Sequence, residues 1–118
     1  MTSDRRKYAR IATDQVISFA QLDAADRLAV SRDLSAGGIR FETVGCDVEV
    51  GETLRVTFNI EDETIVAIGR VAWATDIDPI TIDIGIEFID IHPRALELLE
   101  QVASDTGLAR WEPEAETR

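Results

Sequence analysis

Apolar residues recur at every second position in several runs of this chain, the signature of strands with one buried and one solvent-facing side. The clearest run is Ile80, Ile82, Ile84, Ile86 and Phe88, separated by Thr81, Asp83, Gly85 and Glu87. Leu54, Val56, Phe58 and Ile60 alternate in the same way with Arg55, Thr57 and Asn59. A β-rich run from Thr64 to Thr75 precedes the last strand, and Asp78-Pro79 supplies the turn between them. Val16 to Leu22, Leu28 to Leu34 and Ile39 to Thr43 are shorter strand candidates. Asp23 to Asp26 and Ser35 to Gly38 read as the turns that join them. Six strands on short connections predict an antiparallel sheet, and closure into a small barrel removes its exposed edges.

The period changes after Ile91. Ala95, Leu98, Leu99 and Val102 form the apolar stripe of a helix. Pro93 suits its first turn, where a missing N–H costs nothing, and Gly107 suits its end. The fold class predicted is therefore all-β with one helix: a six-stranded antiparallel β-barrel closed by a C-terminal α-helix. The expected organisation is a flexible basic N-terminal arm over residues 1–12, the barrel and helix over 13–105, and an acidic tail over 106–118.

Composition fits one globular domain: 118 residues, 45% of them hydrophobic. Charge changes the picture more. With 23 acidic residues against 12 basic, the formal net is −11. That argues against a nucleic-acid polymer as partner, because phosphate neutralisation dominates such binding. It equally disfavours an anionic membrane surface. Yet residues 5–10, Arg-Arg-Lys-Tyr-Ala-Arg, carry +4 with no acid, which leaves the rest of the chain at −15. The expected arrangement is a cationic arm on an acidic body.

The single cysteine, Cys46, cannot form an intrachain disulfide, which points to a reducing compartment. No apolar h-region follows the basic N-terminus, and no apolar run approaches the ~20 residues of a membrane helix. The expected location is the cytoplasm.

Catalysis is hard to build from these residues. The one histidine, His92, stands at the helix start, where it reads as a capping residue rather than a base or ligand. No second His or Cys lies at metal-ligand spacing. Asp83 and Glu87 share a strand face but stand roughly 13 Å apart along it, too far for a carboxylate pair, and read as a solvated face. Glu61-Asp62-Glu63 reads as an acidic turn. No enzyme is expected.

Two polar segments interrupt the β pattern. The arm offers Arg5, Arg6, Lys7 and Arg10, and arginine's planar fork matches phosphate oxygens and the guanine O6/N7 edge. The second segment is Asp33-Leu34-Ser35-Ala36-Gly37-Gly38. One reading is turn chemistry, with Asp and Ser capping backbone N–H groups and Gly allowing positive φ. The other has Asp33 and Ser35 projecting from a strand end on the same side, as acceptor and donor for a ligand's polar edge.

Together, Arg6 to Arg10 as R-x-x-x-R and Asp33 to Gly38 as D-x-S-x-x-G resemble the PilZ domain, the bacterial receptor module for cyclic di-GMP. Gly69-Arg70-Val71-Ala72-Trp73 is similar to the family's G-R-V-x-W strand, and Gly85-Ile86-Glu87-Phe88 to its last strand. The resemblance spans roughly residues 5–103, and no added output domain is evident, as in a stand-alone member.

The resemblance implies a six-stranded barrel with a C-terminal helix, on which the arm clamps the ligand. It implies that Arg6 and Arg10 bond guanine edges and phosphates, that Asp33 and Ser35 bond guanine, and that Gly38 lets the backbone turn without a Cβ obstructing the nucleotide. Arg5, just before the first motif arginine, implies two ligand molecules per protomer. Lys7 is a further candidate phosphate contact, and Trp73 either packs on a guanine or covers the barrel. No other cofactor and no metal is implied. The function implied is a cyclic di-GMP receptor and adaptor that presents a ligand-ordered surface to an unidentified downstream protein, as monomer or homodimer. The alternative is a PilZ-like interaction module that does not bind the nucleotide. An oligonucleotide-binding barrel fits poorly, since only seven aromatic residues accompany an acidic body.

Overall fold

A computed structural model of the protein describes residues 11–105, with side chains as far as residue 102. Seven strands precede one helix: β1 (Ile11–Ala12), β2 (Val16–Gln21), β3 (Arg27–Ser35), β4 (Gly38–Val44), β5 (Thr53–Ile60), β6 (Glu63–Asp76), β7 (Thr81–Asp90) and α1 (Pro93–Asp105). All pairings are antiparallel. The order β3-β2-β5-β6-β7-β4 closes through a β3–β4 ladder, so six strands form the barrel and β1 adds a short strip outside β3. The six barrel strands match the pattern of the sequence; β1, two residues long, has no signal in it.

The core follows the period-2 pattern. Leu54, Val56, Phe58 and Ile60 of β5 are buried, as are Ile84 and Ile86 of β7. Phe19 and Phe41 meet across the interior with ring centroids 4.9 Å apart. Ile80 departs from its expected place: β7 begins one residue later, and Ile80 is 65% exposed in the turn. Asp78 causes this, because its Oδ1 accepts the N–H groups of Ile80 and Thr81 and ends the strand there. At the other end α1 lays Ala95, Leu98 and Leu99 into the same core. His92 caps it, its carbonyl accepting the Ala95 N–H and its Nδ1 accepting the Arg94 N–H at 3.0 Å. The expected helix end at Gly107 lies outside the described residues.

Three register shifts interrupt the ladders, one between β3 and β4 and two between β6 and β7, and two of them matter below. In β3, Ser31 pairs with Phe41 and Asp33 with Arg40, leaving Arg32 as an extra residue. In β6, Val71 pairs with Ile86 and Trp73 with Gly85, leaving Ala72 extra. These are β-bulges, which re-aim the side chains that follow them.

Candidate functional site: an outward row on the barrel wall

The bulge at Arg32 decides where Asp33 points. Ala29 and Ser31 face inward, and unbroken alternation would send Asp33 inward as well. The extra residue resets the phase, so that Leu34 is buried and Asp33 and Ser35 share the outer side. The bulge at Ala72 does the same for Trp73. Ile65, Ala67, Gly69 and Val71 face inward, yet Trp73 stands outside and 40% exposed.

The ladders then place four residues in one outer row across four strands: Asp33 on β3, Arg40 on β4, Gly85 on β7 and Trp73 on β6. Trp73 lies flat against the wall because Gly85 has no side chain; a Cβ there would collide with the indole ring. The parallel row beside it contains Ser35, Gly38, Glu87 and Arg70.

Arg40 is the hub of the first row. Its Nε donates to Asp33 Oδ2 at 3.0 Å, and its Nη1 donates to Asp83 Oδ2 at 3.2 Å. Partial burial works against the guanidinium's charge. The hydrogen bond and attraction of Asp33, joined by those of Asp83, outweigh it and hold the group above its ordinary value. Asp83 is not the solvated residue expected from its polar strand face: its side chain is 14% exposed. Its Oδ1 is buried with no hydrogen-bond partner among the described residues.

Ser35 Oγ accepts the Gly37 N–H at 3.1 Å, the turn chemistry expected of this segment, and its own hydroxyl proton remains able to donate outward. Gly38 does not take the positive φ of a tight turn. It belongs to β4, where a Cβ would run into the Ile86 carbonyl oxygen of β7. The demand for glycine there comes from close packing of two strands, and the expectation that Gly38 serves the turn is corrected accordingly.

Arg5, Arg6, Lys7 and Arg10 lie outside the described residues. The chain that follows them is fixed, however. β1 pairs Ile11 with Leu34 and Ala12 with Asp33, so Arg10 is covalently joined to a residue paired inside the D-x-S-x-x-G segment.

Elsewhere, a recess of about 780 Å³ opens at the far end of the β4–β7 ladder, lined by Arg27, Cys46, Asp76 and Thr81 among others. Burial pushes the Cys46 thiol up, with Arg27 partly opposing it, which makes it a poor nucleophile. Among the described residues no three of His, Cys, Asp or Glu are grouped to hold a metal ion, and no helix is long and apolar enough to cross a membrane.

Sequence reasoning missed Arg40 and the burial of Asp83. Arg40 lies two residues beyond the recognisable motif, and its partners come from β3 and β7, a relation that only the register reveals.

The described residues thus form a closed antiparallel barrel with one capping helix, carrying a polar row and a flat aromatic on its outer wall. The PilZ domain model matches residues 4–104, and the chain belongs to the PilZ domain family. Solved structures agree on the fold. The Bacillus subtilis inhibitor of motility MotI/DgrA superposes with a TM-score of 0.76 at 22% identity, covering 88% of this chain and 52% of that one. The Klebsiella MrkH–c-di-GMP complex gives 0.70 at 17% identity, covering 91% and 54%. The PilZ domain of Escherichia coli YcgR, solved with c-di-GMP, gives 0.67 at 16% identity, covering 92% of this chain and 98% of that domain. The chain thus spans about half the length of MotI/DgrA and MrkH. No functionally curated protein matches it in sequence.

Proposed function

We propose that this chain is a non-enzymatic receptor for cyclic di-GMP, binding it between the basic arm and the outward row of the barrel. The observation that carries the reading is the pairing of β1 with β3. From Ile11, opposite Leu34, a reach of ~3.5 Å per residue brings Arg10 and Arg6 within roughly 4 and 18 Å of the D-x-S-x-x-G segment. Family membership and the likeness to PilZ structures that contain c-di-GMP support the choice of ligand.

In this reading Arg6 and Arg10 bond phosphates and guanine edges, and Asp33 accepts from the guanine N1–H and N2 amino group. Ser35 donates its free hydroxyl proton. Gly38 keeps β4 tight against β7 beneath the ligand. Trp73 offers a face on which a purine can stack, Lys7 adds a phosphate contact, and Arg5 supports a second ligand molecule. Residues 1–12 act as the clamp, 13–105 as the barrel and helix, and 106–118 as an acidic tail. Residues 5–10 of the clamp carry +4 and the rest of the chain −15, so a small dianion is attracted within a Debye length of ~8 Å while long polyanions are repelled. The arm and ligand together form a surface for a downstream protein.

Titration calorimetry with cyclic di-GMP tests the reading. Heat that saturates near two ligands per protomer, and is lost in Arg6→Ala and Arg10→Ala, is the expected result. A folded protein that gives no heat at tens of micromolar would favour the interaction module that does not bind the nucleotide.

A further inference from the structure

We propose that Arg40, anchored by Asp83, is a positioning residue that fixes the carboxylate of Asp33 for guanine and thereby sets base specificity; this rests on the receptor reading above. Arg40 touches both carboxylates through different edges of one planar group, Nε to Asp33 at 3.0 Å and Nη1 to Asp83 at 3.2 Å. Two bonds at two edges fix the plane of a guanidinium, which a single contact does not. The anchoring end is the more buried one, with Asp83 at 14% side-chain exposure against 22% for Asp33. The rigid end therefore lies inside the wall and the working end faces the ligand.

A carboxylate receives the guanine N1–H and N2–H side by side only if its two oxygens lie in the plane of the base. Arg40 occupies Oδ2 from one side and so restricts the rotation of the group. It also brings a positive charge to both Asp33 and Asp83. That charge offsets part of the repulsion between these carboxylates and a dianionic ligand.

Lysine keeps the charge but lacks the two-edged plane, so Arg40→Lys separates positioning from neutralisation. The probes are cyclic di-GMP and cyclic di-IMP, which lacks the exocyclic amino group. Wild-type protein is expected to prefer cyclic di-GMP by about tenfold to a hundredfold, the worth of one hydrogen bond to a charged acceptor. In Arg40→Lys the affinity for cyclic di-GMP should fall about tenfold and the preference should shrink to about threefold or less. A preference that stays at the wild-type value, whether or not both affinities fall together, overturns the inference, because a purely structural loss weakens both ligands alike.

A ligand-free measurement separates this from the receptor reading. The side-chain carboxyl ¹³C resonance of Asp33 should move in Arg40→Lys, while the amides of the β5–β6 ladder stay in place. An unmoved Asp33 resonance in a folded variant overturns the inference independently of any ligand. Absence of cyclic di-GMP binding by the wild-type protein would instead overturn the receptor reading alone.

Discussion

The β5–β6 half of the barrel and the β3–β4–β7 wall are made of the same kinds of residue arranged by opposite rules. β5 and β6 pair through eight consecutive positions, Thr53 with Arg70 to Ile60 with Glu63, without a register shift. Their inner side is apolar, and their outer side carries Arg55, Thr57 and Asn59. On the other wall an extra residue at Arg32 breaks the alternation, as does one at Ala72 where β6 runs on past β5 beside β7, and the residues that follow, Asp33 and Trp73, turn outward into one row. Regular alternation makes a core and a solvated surface. Interrupted alternation lines up a carboxylate, a guanidinium and an indole in one outer row.

That contrast can be broken at several levels. The largest effect is expected in the core that both halves share: Phe41→Ala, at a fully buried ring packed on Phe19, should cost about 3–5 kcal/mol in urea unfolding. Next, Asp33→Ala on the interrupted wall should weaken cyclic di-GMP about a hundredfold by calorimetry, because the guanine donors lose a charged acceptor. Thr57→Ala, on the outer side of β5, should leave binding unchanged.

Gly85→Ala should tip Trp73 off the wall, since the new Cβ takes the place of the indole. A shift of tryptophan fluorescence and a loss of about 1–3 kcal/mol are expected, as for an overpacked site. An unchanged spectrum would show that the ring does not rest on Gly85.

The smallest effect concerns the turn before β7. The N–H groups of Ile80 and Thr81 hold the Asp78 carboxyl below its ordinary value. A depressed folded value means that this stabilisation is present above the unfolded carboxylate range and is lost as pH falls through the folded value. Asp78→Asn should therefore be less stable than wild type at neutral pH, and the difference should close on acidification in pH-dependent melting.

The regular half was legible in the sequence because burial of one face enforces period 2, and Leu54 to Ile60 display it directly. The end of β7 was less so: alternation alone carries Ile80 into the strand, whereas the side chain of Asp78 stops it. The motif residues Asp33 and Ser35 were visible as types at a spacing, but the reason they face outward is a bulge, and nothing in the run Ser31-Arg32-Asp33 announces one. Arg40 was illegible for the same reason. Its significance lies in register with Asp33 and Asp83, residues 7 and 43 positions away in the chain. Gly38 was read correctly as a position that needs glycine and incorrectly as to why, because the obstacle, the Ile86 carbonyl, belongs to a strand distant in sequence.

The central claim is that the interrupted wall is where cyclic di-GMP is received, and amide chemical-shift mapping during a titration tests it most directly. The expected shifts fall on residues 33–40, on the backbone of Gly85 and on the Trp73 indole N–H, while the Glu61-Asp62 turn and the regular β5–β6 ladder stay still. Shifts centred on the recess around Arg27 and Cys46, or no shifts from a folded protein at saturating ligand, would contradict it.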